Sequence, residues 1–229
     1  MKKNIPNAIT CCNLLSGCVS VTFAFGGDMD MAFLFIIIGA LFDFCDGLSA
    51  RLLHVGSPIG KELDSLADCV TFGVAPSAMV YGTLQMLTEN EILPYVAFLM
   101  AAFSALRLAK FNLDERQTTS FIGLPTPANA LFWASLVVGF YDEIITRSSF
   151  ALFVIVILAL VSCYLLIAEI PMFSLKFKHY GWKGNEVKYI FLATSIVLIV
   201  ILFEKSLAII VAWYVVLAII SNIFSKKNQ

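Results

Sequence analysis

Four aspartates attract attention because they lie inside long apolar stretches. Asp43 and Asp46 are near the end of one such stretch, and Asp64 and Asp68 are near the start of the next. Charged side chains in membrane-length apolar segments are costly and usually functional. Residues three or four positions apart lie about 40–60° from each other around a helix, so each pair projects from one helix face.

The short loop between the two pairs makes their helices antiparallel neighbours, so that both pairs can face one cavity. Four clustered carboxylates repel one another, and a cation must neutralise them. No histidine or cysteine occupies a facing position, so the ligands are hard oxygen atoms, which favour Mg²⁺ or Mn²⁺ over zinc or copper. Metals held only by carboxylates complete their coordination with phosphate and water, which predicts a phosphate-containing substrate.

The residues around and between the two pairs fit this chemistry. Gly47, Ala50 and Gly60 have little or no side chain, so a ligand can approach the helices closely. Arg51 can hold a phosphate as a bidentate fork, and Ser57 can donate a hydroxyl from the loop. The alternative is that the small residues only permit close helix packing.

Written with its spacing, the window contains eight fixed positions. They are Asp43-x2-Asp46-Gly47-x2-Ala50-Arg51-x8-Gly60-x3-Asp64-x3-Asp68. At every one of these positions the window resembles the signature of the CDP-alcohol phosphotransferases.

The resemblance implies a polytopic helical protein with a six-helix core, usually a homodimer, that cleaves a CDP-linked donor and releases CMP. It implies that one or two Mg²⁺ or Mn²⁺ ions are bound by Asp43, Asp46, Asp64 and Asp68. It implies that the CDP site is lined by Gly47, Ala50, Arg51, Ser57 and Gly60. Asp68, the last aspartate, would be the general base.

Further segments resemble one branch of that family, the membrane-bound bacterial phosphatidylserine synthases. These segments are residues 5–13, 72–76, 105–112 and 121–128. The resemblance covers about the first 135 residues and implies that the phosphatidyl group of CDP-diacylglycerol passes to L-serine. Glycerol 3-phosphate and inositol remain alternative acceptors within the family.

Polar residues elsewhere in the chain supply candidates for substrate binding. Asn7, Thr10 and Asn13 begin the first apolar segment and can hydrogen-bond the CDP moiety, or else cap that helix.

A serine acceptor carries a carboxylate that requires a cation. Arg107, near the end of the fourth apolar segment, is the best-placed candidate, with Lys110 and Asn112 close by. The alternative is that Arg107 and Lys110 only anchor the helix at the membrane surface.

Composition indicates the elements that position these residues. The chain is 60% hydrophobic and 14% charged, whereas soluble domains carry about 25% charged residues, so a membrane is its natural solvent. A membrane-spanning helix needs about 20 mostly apolar residues. We predict one all-α domain, 1–229, a polytopic bundle of about eight spans with a six-helix catalytic core. The predicted spans are 8–25, 31–53, 62–87, 92–111, 121–141, 149–168, 187–203 and 206–224.

The basic residues predict the orientation. If the N-terminus is cytoplasmic, all of the 15 basic residues except Arg147 and Lys205 fall on the cytoplasmic side. This distribution predicts that both termini and the active site face the cytoplasm, and the resemblance implies that the membrane is the bacterial inner membrane. The aromatic and basic segment 173–186 is predicted to be a cytoplasmic loop or an interfacial helix.

Other function classes fit less well. No basic face for nucleic acid is present. A divalent cation transporter is a distant alternative, because the aspartates cluster at one membrane face and the chain has no evident internal repeat.

Overall fold

The structure, a computed structural model, describes residues 4–55, 57–114, 121–173, 181–182 and 185–227. Most of the segment 173–186 therefore lies outside the described residues. The described chain is almost entirely helical, as predicted. Its helices are α1 (Ile5–Phe25), α2 (Met29–Leu52), α3 (Pro58–Asp68), α4 (Ala75–Leu87), α5 (Phe98–Leu113), α6 (Thr126–Gly139), α7 (Tyr141–Thr146), α8 (Ser148–Ile167), α9 (Glu186–Leu202) and α10 (Ser206–Lys227).

Shorter elements connect these helices. They are a π-helical segment Cys69–Val74, 3₁₀ turns at Leu93–Ala97 and Phe203–Lys205, and the strands β1 (Phe121–Ile122) and β2 (Pro171–Met172). The two strands pair antiparallel, with Phe121 opposite Met172.

Five helical stretches are apolar and long enough to cross a membrane, which identifies an integral membrane protein. They are Ile5–Phe25, Met29–Leu52, Leu93–Leu113, Ser148–Ile167 and Glu186–Ile223. The last stretch contains both α9 and α10, which the turn at Phe203–Lys205 separates. The helices α3 and α4, joined by the π segment, and the helix α6 occupy the other predicted spans.

The third helix begins earlier than residue 62, where the sequence analysis placed its start. Ser57 has an extended backbone, and its side-chain oxygen accepts the backbone N–H of Gly60 at 3.0 Å. Pro58 then occupies the first helical turn, where its missing N–H costs no hydrogen bond. This N-cap adds one turn to the helix that carries Asp64 and Asp68.

The predicted span 121–141 is wrong at its start. Residues 121–122 form strand β1, and α6 begins only at Thr126. Gly123 has a φ of +76°, and its N–H donates to Ile170 O at 3.0 Å. Pro125 is extended, so a helix cannot pass through this point. The remaining 14 residues of α6 span about 21 Å.

A close contact between α1, α2 and the π-helical segment positions the motif from Asp43 to Asp68. The π segment follows Asp68 directly, and Thr71 within it donates to Asn13 O of α1 at 3.0 Å. A Cβ at Gly17 would lie 2.4 Å from Thr71 Oγ1, and a Cβ at Gly39 would lie 2.5 Å from Thr71 Cγ2. Glycines on α1 and α2 thus admit Thr71 between them.

The larger of two buried clusters lies among the first six predicted spans. It includes Ile36, Phe72, Met79 and Trp133, and the Trp133 indole donates to Ser162 Oγ at 3.0 Å. A smaller cluster packs α10 against the β ribbon. It contains Leu124, Met172, Val211 and Ala218.

The turn between α9 and α10 docks on the end of α6. Ser135 Oγ accepts the backbone N–H of Ala208 at 3.1 Å, and Lys205 Nζ donates to Glu143. A Cβ at Gly139 would lie 2.9 Å from the Lys205 backbone. These contacts tie the C-terminal hairpin to the rest of the bundle at one end.

Candidate active site

Three of the four aspartates meet between α2 and α3. One carboxylate oxygen from each of Asp43, Asp64 and Asp68 lies within 4.8 Å of the others. Asp68 is buried, and the other two side chains are partly buried. The helical spacing in the sequence predicted such an approach, and the N-cap at Ser57 fixes where α3 begins relative to α2.

This group of carboxylates fits a bound divalent cation. In the described chain, none of the three forms a salt bridge with lysine or arginine, and Asp64 Oδ1 is buried without a hydrogen-bond partner. Like charges this close repel strongly, and a buried oxygen without a partner is costly. The donor set contains only oxygen atoms, which suits Mg²⁺ or Mn²⁺.

Asp46 lies beside this group rather than within it. It is buried, and its Oδ2 accepts the hydroxyl of Thr10 at 2.6 Å. One of its carboxylate oxygens therefore contacts α1. Asp46 also lines a neighbouring cleft, as does Asp64, so the clustered carboxylates adjoin that cleft.

The cleft has a volume of about 290 Å³ and lies between α1, α2 and α3. Six of the seven residues predicted to bind CDP line it, together with Asp46 and Asp64. Those six residues are Asn7, Thr10, Gly47, Ala50, Ser57 and Gly60.

The small residues of the cleft differ in what they accommodate. A Cβ at Gly47 would meet only its own helix, at 3.7 Å from Arg51 Nη2, so this glycine is not required for helix packing. A Cβ at Gly60 would lie 3.0 Å from Asn7 Oδ1 and 3.1 Å from Ser57 Oγ. Gly60 therefore brings two polar groups together, and Gly47 keeps space open.

Arg51, the seventh residue, is exposed beside the cleft. Its Nε donates to Gly47 O at 2.9 Å, which holds the guanidinium against the last turns of α2. The remaining guanidinium N–H groups point away from this contact and can reach a phosphate.

Asn13 has a contact that the sequence did not specify. Its Nδ2 donates to Asp68 Oδ1 at 3.2 Å, and its Oδ1 is buried without a partner in the described part of the chain. Asn13 follows Thr10 by three residues, so both project from one face of α1 toward an aspartate. That spacing is the signal in the sequence.

Lys61 is a cleft residue that the sequence analysis missed. It lines the cleft, and its Nζ donates to Asn112 O at 2.9 Å. Lys61 precedes Asp64 by three residues, so helical spacing places both on one face of α3. Asn112 also donates from Nδ2 to Ser65 Oγ at 2.8 Å, which ties α5 to α3.

Arg107 is 7% exposed, although it carries a charge. Its Nη1 contacts Thr126 Oγ1 at 3.5 Å, its guanidinium lies 5.3 Å from the Phe111 ring centroid, and its buried Nε has no partner. Lys110, by contrast, is exposed on the same helix. Of the three predicted serine-binding residues, Arg107 alone combines burial with an unpartnered donor.

Comparison with known proteins agrees with this arrangement. The sequence profile of the CDP-alcohol phosphatidyltransferase family matches residues 3–168, which include every residue of the candidate active site described here.

Several characterised proteins are similar to the chain. A CDP-diacylglycerol–serine O-phosphatidyltransferase of Bacillus subtilis (strain 168) is 40% identical over 127 residues, which are 54% of this chain and 69% of that protein. A protein of the same name from Mycobacterium leprae (strain TN) is 36% identical over 134 residues, 56% of this chain and 44% of that protein.

An archaetidylserine synthase of Methanothermobacter thermautotrophicus is 32% identical over 146 residues, 61% of this chain and 60% of that protein. The chain thus spans about half to two thirds of the length of the relatives it matches. The family profile nevertheless covers well over half of the chain, and it includes the clustered aspartates and the cleft. The chain belongs to the CDP-alcohol phosphatidyltransferase family.

Proposed function

We propose that the protein transfers the phosphatidyl group of CDP-diacylglycerol to L-serine, giving phosphatidylserine and CMP. The observation that carries this proposal is the meeting of Asp43, Asp64 and Asp68 within 4.8 Å beside a cleft lined by the motif residues. The names of the similar proteins from Bacillus subtilis and Mycobacterium leprae support serine as the acceptor.

The cleft binds the CDP part of the donor. Asn7, Thr10 and Ser57 offer hydrogen bonds, while Gly47 and Ala50 leave space for the nucleotide against α2. Arg51, held by its bond to Gly47 O, pairs with a phosphate oxygen. Gly60 keeps Asn7 and Ser57 close enough to contact the same group.

The diphosphate lies next to the carboxylates. Asp43, Asp64 and Asp68 would hold one or two Mg²⁺ or Mn²⁺ ions, with Asp46 completing the set from the side of the cleft. Such an ion, when bound, would supply positive charge against the diphosphate oxygens and the charge that develops on the departing CMP.

In the reaction, the serine hydroxyl oxygen attacks the phosphorus that bears diacylglycerol. A new P–O bond to serine forms, the P–O bond to CMP breaks, and CMP leaves with the bonding electrons. Asp68 accepts the hydroxyl proton as the attack proceeds. Asn13 holds one oxygen of the Asp68 carboxylate in place through its 3.2 Å hydrogen bond.

Arg107 binds the carboxylate of serine. The guanidinium is buried and has an unpartnered Nε, so a carboxylate would satisfy a donor that the described chain leaves free. Lys110 and Asn112 lie one turn further along α5 and complete the acceptor site at its rim. Arg107 is the one buried basic residue in the described chain. A phosphorylated acceptor such as glycerol 3-phosphate would require more positive charge than the buried Arg107 and the exposed Lys110 supply, so this site favours serine over it.

The protein acts in the bacterial inner membrane with the active site and both termini on the cytoplasmic side. The distribution of basic residues supports this orientation. The family resemblance further supports a homodimer, which a molar-mass measurement on the detergent-solubilised protein would test.

The decisive experiment supplies the purified protein with CDP-diacylglycerol and one alcohol at a time. L-serine, glycerol 3-phosphate and inositol are compared in Mg²⁺, in Mn²⁺ and in EDTA, and the released CMP is measured. We expect CMP release with serine and a divalent ion, and no release in EDTA. Faster release with another alcohol would overturn the acceptor, and no release with any alcohol would overturn the function.

A further inference from the structure

A second concave site lies away from the aspartates, between α6, α8 and α10. This cavity has a volume of about 180 Å³. Its walls are almost entirely aliphatic or aromatic, with Asn129 and Ser162 as its polar members. The apolar lining residues are Leu124, Phe132, Leu158, Val161, Leu165, Val211, Ala212 and Val215.

Asn129 is the unusual residue of this cavity. It is 1% exposed, and neither its Nδ2 nor its Oδ1 has a hydrogen-bond partner in the described chain. A buried primary amide without partners costs several kcal/mol relative to water, so buried amides are normally satisfied. Ser162 is not that partner, because its oxygen accepts the Trp133 indole at 3.0 Å and no hydrogen bond joins it to Asn129 in the described chain. The amide therefore requires a partner that enters the cavity.

The opening of the cavity indicates where that partner comes from. Val161 on the rim is 43% exposed, and Ala212 beside it is exposed too, so the cavity opens between α8 and α10 on an apolar outer surface. Both helices belong to membrane-length apolar stretches. An occupant that enters here comes from the hydrocarbon region and carries its own hydrogen-bonding group.

The cavity is also connected to the acceptor side of the active site. Thr126, which contacts Arg107, precedes Asn129 by three residues on α6. Three residues advance about 4.5 Å along a helix. Asn129 is thus one helical turn from Thr126, which contacts the residue that binds the serine carboxylate in the proposed function.

We propose that this cavity binds the first part of one acyl chain of the phosphatidyl donor, with Asn129 Nδ2 donating a hydrogen bond to the ester carbonyl. The inference rests on the proposed function. The ester is the polar group of a diacyl lipid that lies nearest its phosphate, and the aliphatic walls suit the methylene groups beyond it. A volume of 180 Å³ is too small for a whole lipid-sized ligand. It accommodates one chain segment.

The test compares two donors that differ only at the ester. CDP-diacylglycerol and its diether analogue, with the same chain length, are presented in detergent micelles, and CMP release is measured against the donor mole fraction. A neutral hydrogen bond contributes about 1 kcal/mol, or about fivefold in affinity. We therefore expect about a fivefold higher half-saturating mole fraction for the diether donor with the natural protein.

The variant Asn129→Leu removes the amide while keeping the number and branching of the side-chain heavy atoms. It should raise the half-saturating mole fraction of the diester donor to that of the diether donor, leaving the KM for serine unchanged. The control is Ser195→Ala on α9, which removes another buried side chain without a partner, Ser195 Oγ, away from the cavity. The control should retain the preference for the diester donor.

A second variant does not depend on the amide. Val215→Phe fills the cavity from α10, and it should weaken binding of a long-chain donor severalfold while sparing a donor with very short chains. Equal responses of Asn129→Leu and the natural protein to the two donors would overturn the proposal, as would a Val215→Phe effect independent of chain length. If the natural protein released CMP from neither donor, the proposed function itself would fail instead.

Discussion

The cleft between α1, α2 and α3 and the cavity between α6, α8 and α10 differ in how their polar side chains are paired. In the cleft region, polar side chains pair across helices, as Thr10 pairs with Asp46 and Asn13 with Asp68. In the cavity, Asn129 has no partner and its surroundings are apolar.

The two regions also differ in how the chain assembles them. The carboxylates and most of the cleft come from a single 26-residue window, whereas the cavity joins residues from 124 to 215. The cavity includes α10, which lies beyond residues 3–168 matched by the family profile. The proposed reaction site is therefore local in sequence and lies within the family profile, whereas the proposed acyl-chain cavity depends on long-range packing.

The strongest test of the catalytic region is Asp68→Asn. The amide keeps the shape of the side chain but cannot accept the serine proton, so kcat should fall about 10²–10⁴-fold. CMP release measures the effect, and the thermal unfolding temperature in detergent checks that the variant is folded. Asp30→Asn, in the first turn of α2, is the control and should retain full activity. Turnover within tenfold of the natural protein would refute Asp68 as the base.

Arg107→Ala tests whether the proposed serine site is separate from the proposed CDP-diacylglycerol site. Losing a charge-assisted contact of about 1.5–3 kcal/mol should raise the KM for serine roughly 10–100-fold. The KM for CDP-diacylglycerol should change less than about twofold, because the proposed CDP contacts lie in the cleft, which Arg107 does not line. Steady-state kinetics with each substrate varied in turn measures both constants.

The exposed Lys110 offers a matched comparison for Arg107 on the same helix. Lys110→Ala should raise the KM for serine by less than threefold, because solvent screens an exposed charge and keeps its contribution to binding small. An equal rise in both KM values for Arg107→Ala would indicate that Arg107 only supports the structure. A larger effect at Lys110 would move the carboxylate site to the rim.

Two glycines, Gly17 and Gly47, distinguish a role in helix packing from a role in substrate binding. Gly17→Ala places a Cβ 2.7 Å from the Thr71 backbone, so the helices must shift, at a cost of about 1–3 kcal/mol and a Tm lower by roughly 5 °C. Gly47→Ala meets nothing closer than 3.7 Å and should leave Tm unchanged or raise it slightly, because alanine has the higher helix propensity. It narrows the cleft, however, and should weaken CMP binding about tenfold.

Calorimetry and CMP titration of both glycine variants check this contrast. If Gly47→Ala lowered Tm as much as Gly17→Ala, the small residue would serve helix packing, which is the alternative that the sequence left open. If Gly17→Ala weakened CMP binding while Tm stayed constant, the glycine on α1 would belong to the site.

Much of the catalytic region was predictable because its information is local. The spacing of Asp43, Asp46, Asp64 and Asp68 requires only the helical period and antiparallel neighbours. The same reasoning failed at residues 121–125, where strand pairing with Ile170 and Pro171 replaced a helical turn. Apolar composition alone does not distinguish those two outcomes.

The remaining features depend on contacts between distant parts of the chain. The contact between Arg107 and Thr126 joins two helices, and nothing in either segment specifies it. Asn129 carries even less local information, because an asparagine in an apolar helix is unremarkable until its neighbours prove to offer no hydrogen bond. The cavity could therefore be identified only from the packing of α8 and α10 against α6, and not from the sequence.

The smallest expected effect lies at the opposite end of α6, where Lys205 donates to Glu143. Lys205 lowers the pKa of Glu143 below its ordinary value of 4.5, so the pair stabilises the folded state at neutral pH and loses this contribution as pH falls below 4.5. Both side chains are at least one-third exposed, so Glu143→Gln should lower Tm by only about 1 °C at pH 7, and the difference should shrink at pH 4. Melting curves at pH 7 and pH 4 measure this. CMP release should be unchanged, because the turn between α9 and α10 lies outside both the cleft and the cavity. A loss of activity in Glu143→Gln would instead mean that the contact of this turn with the rest of the bundle supports catalysis.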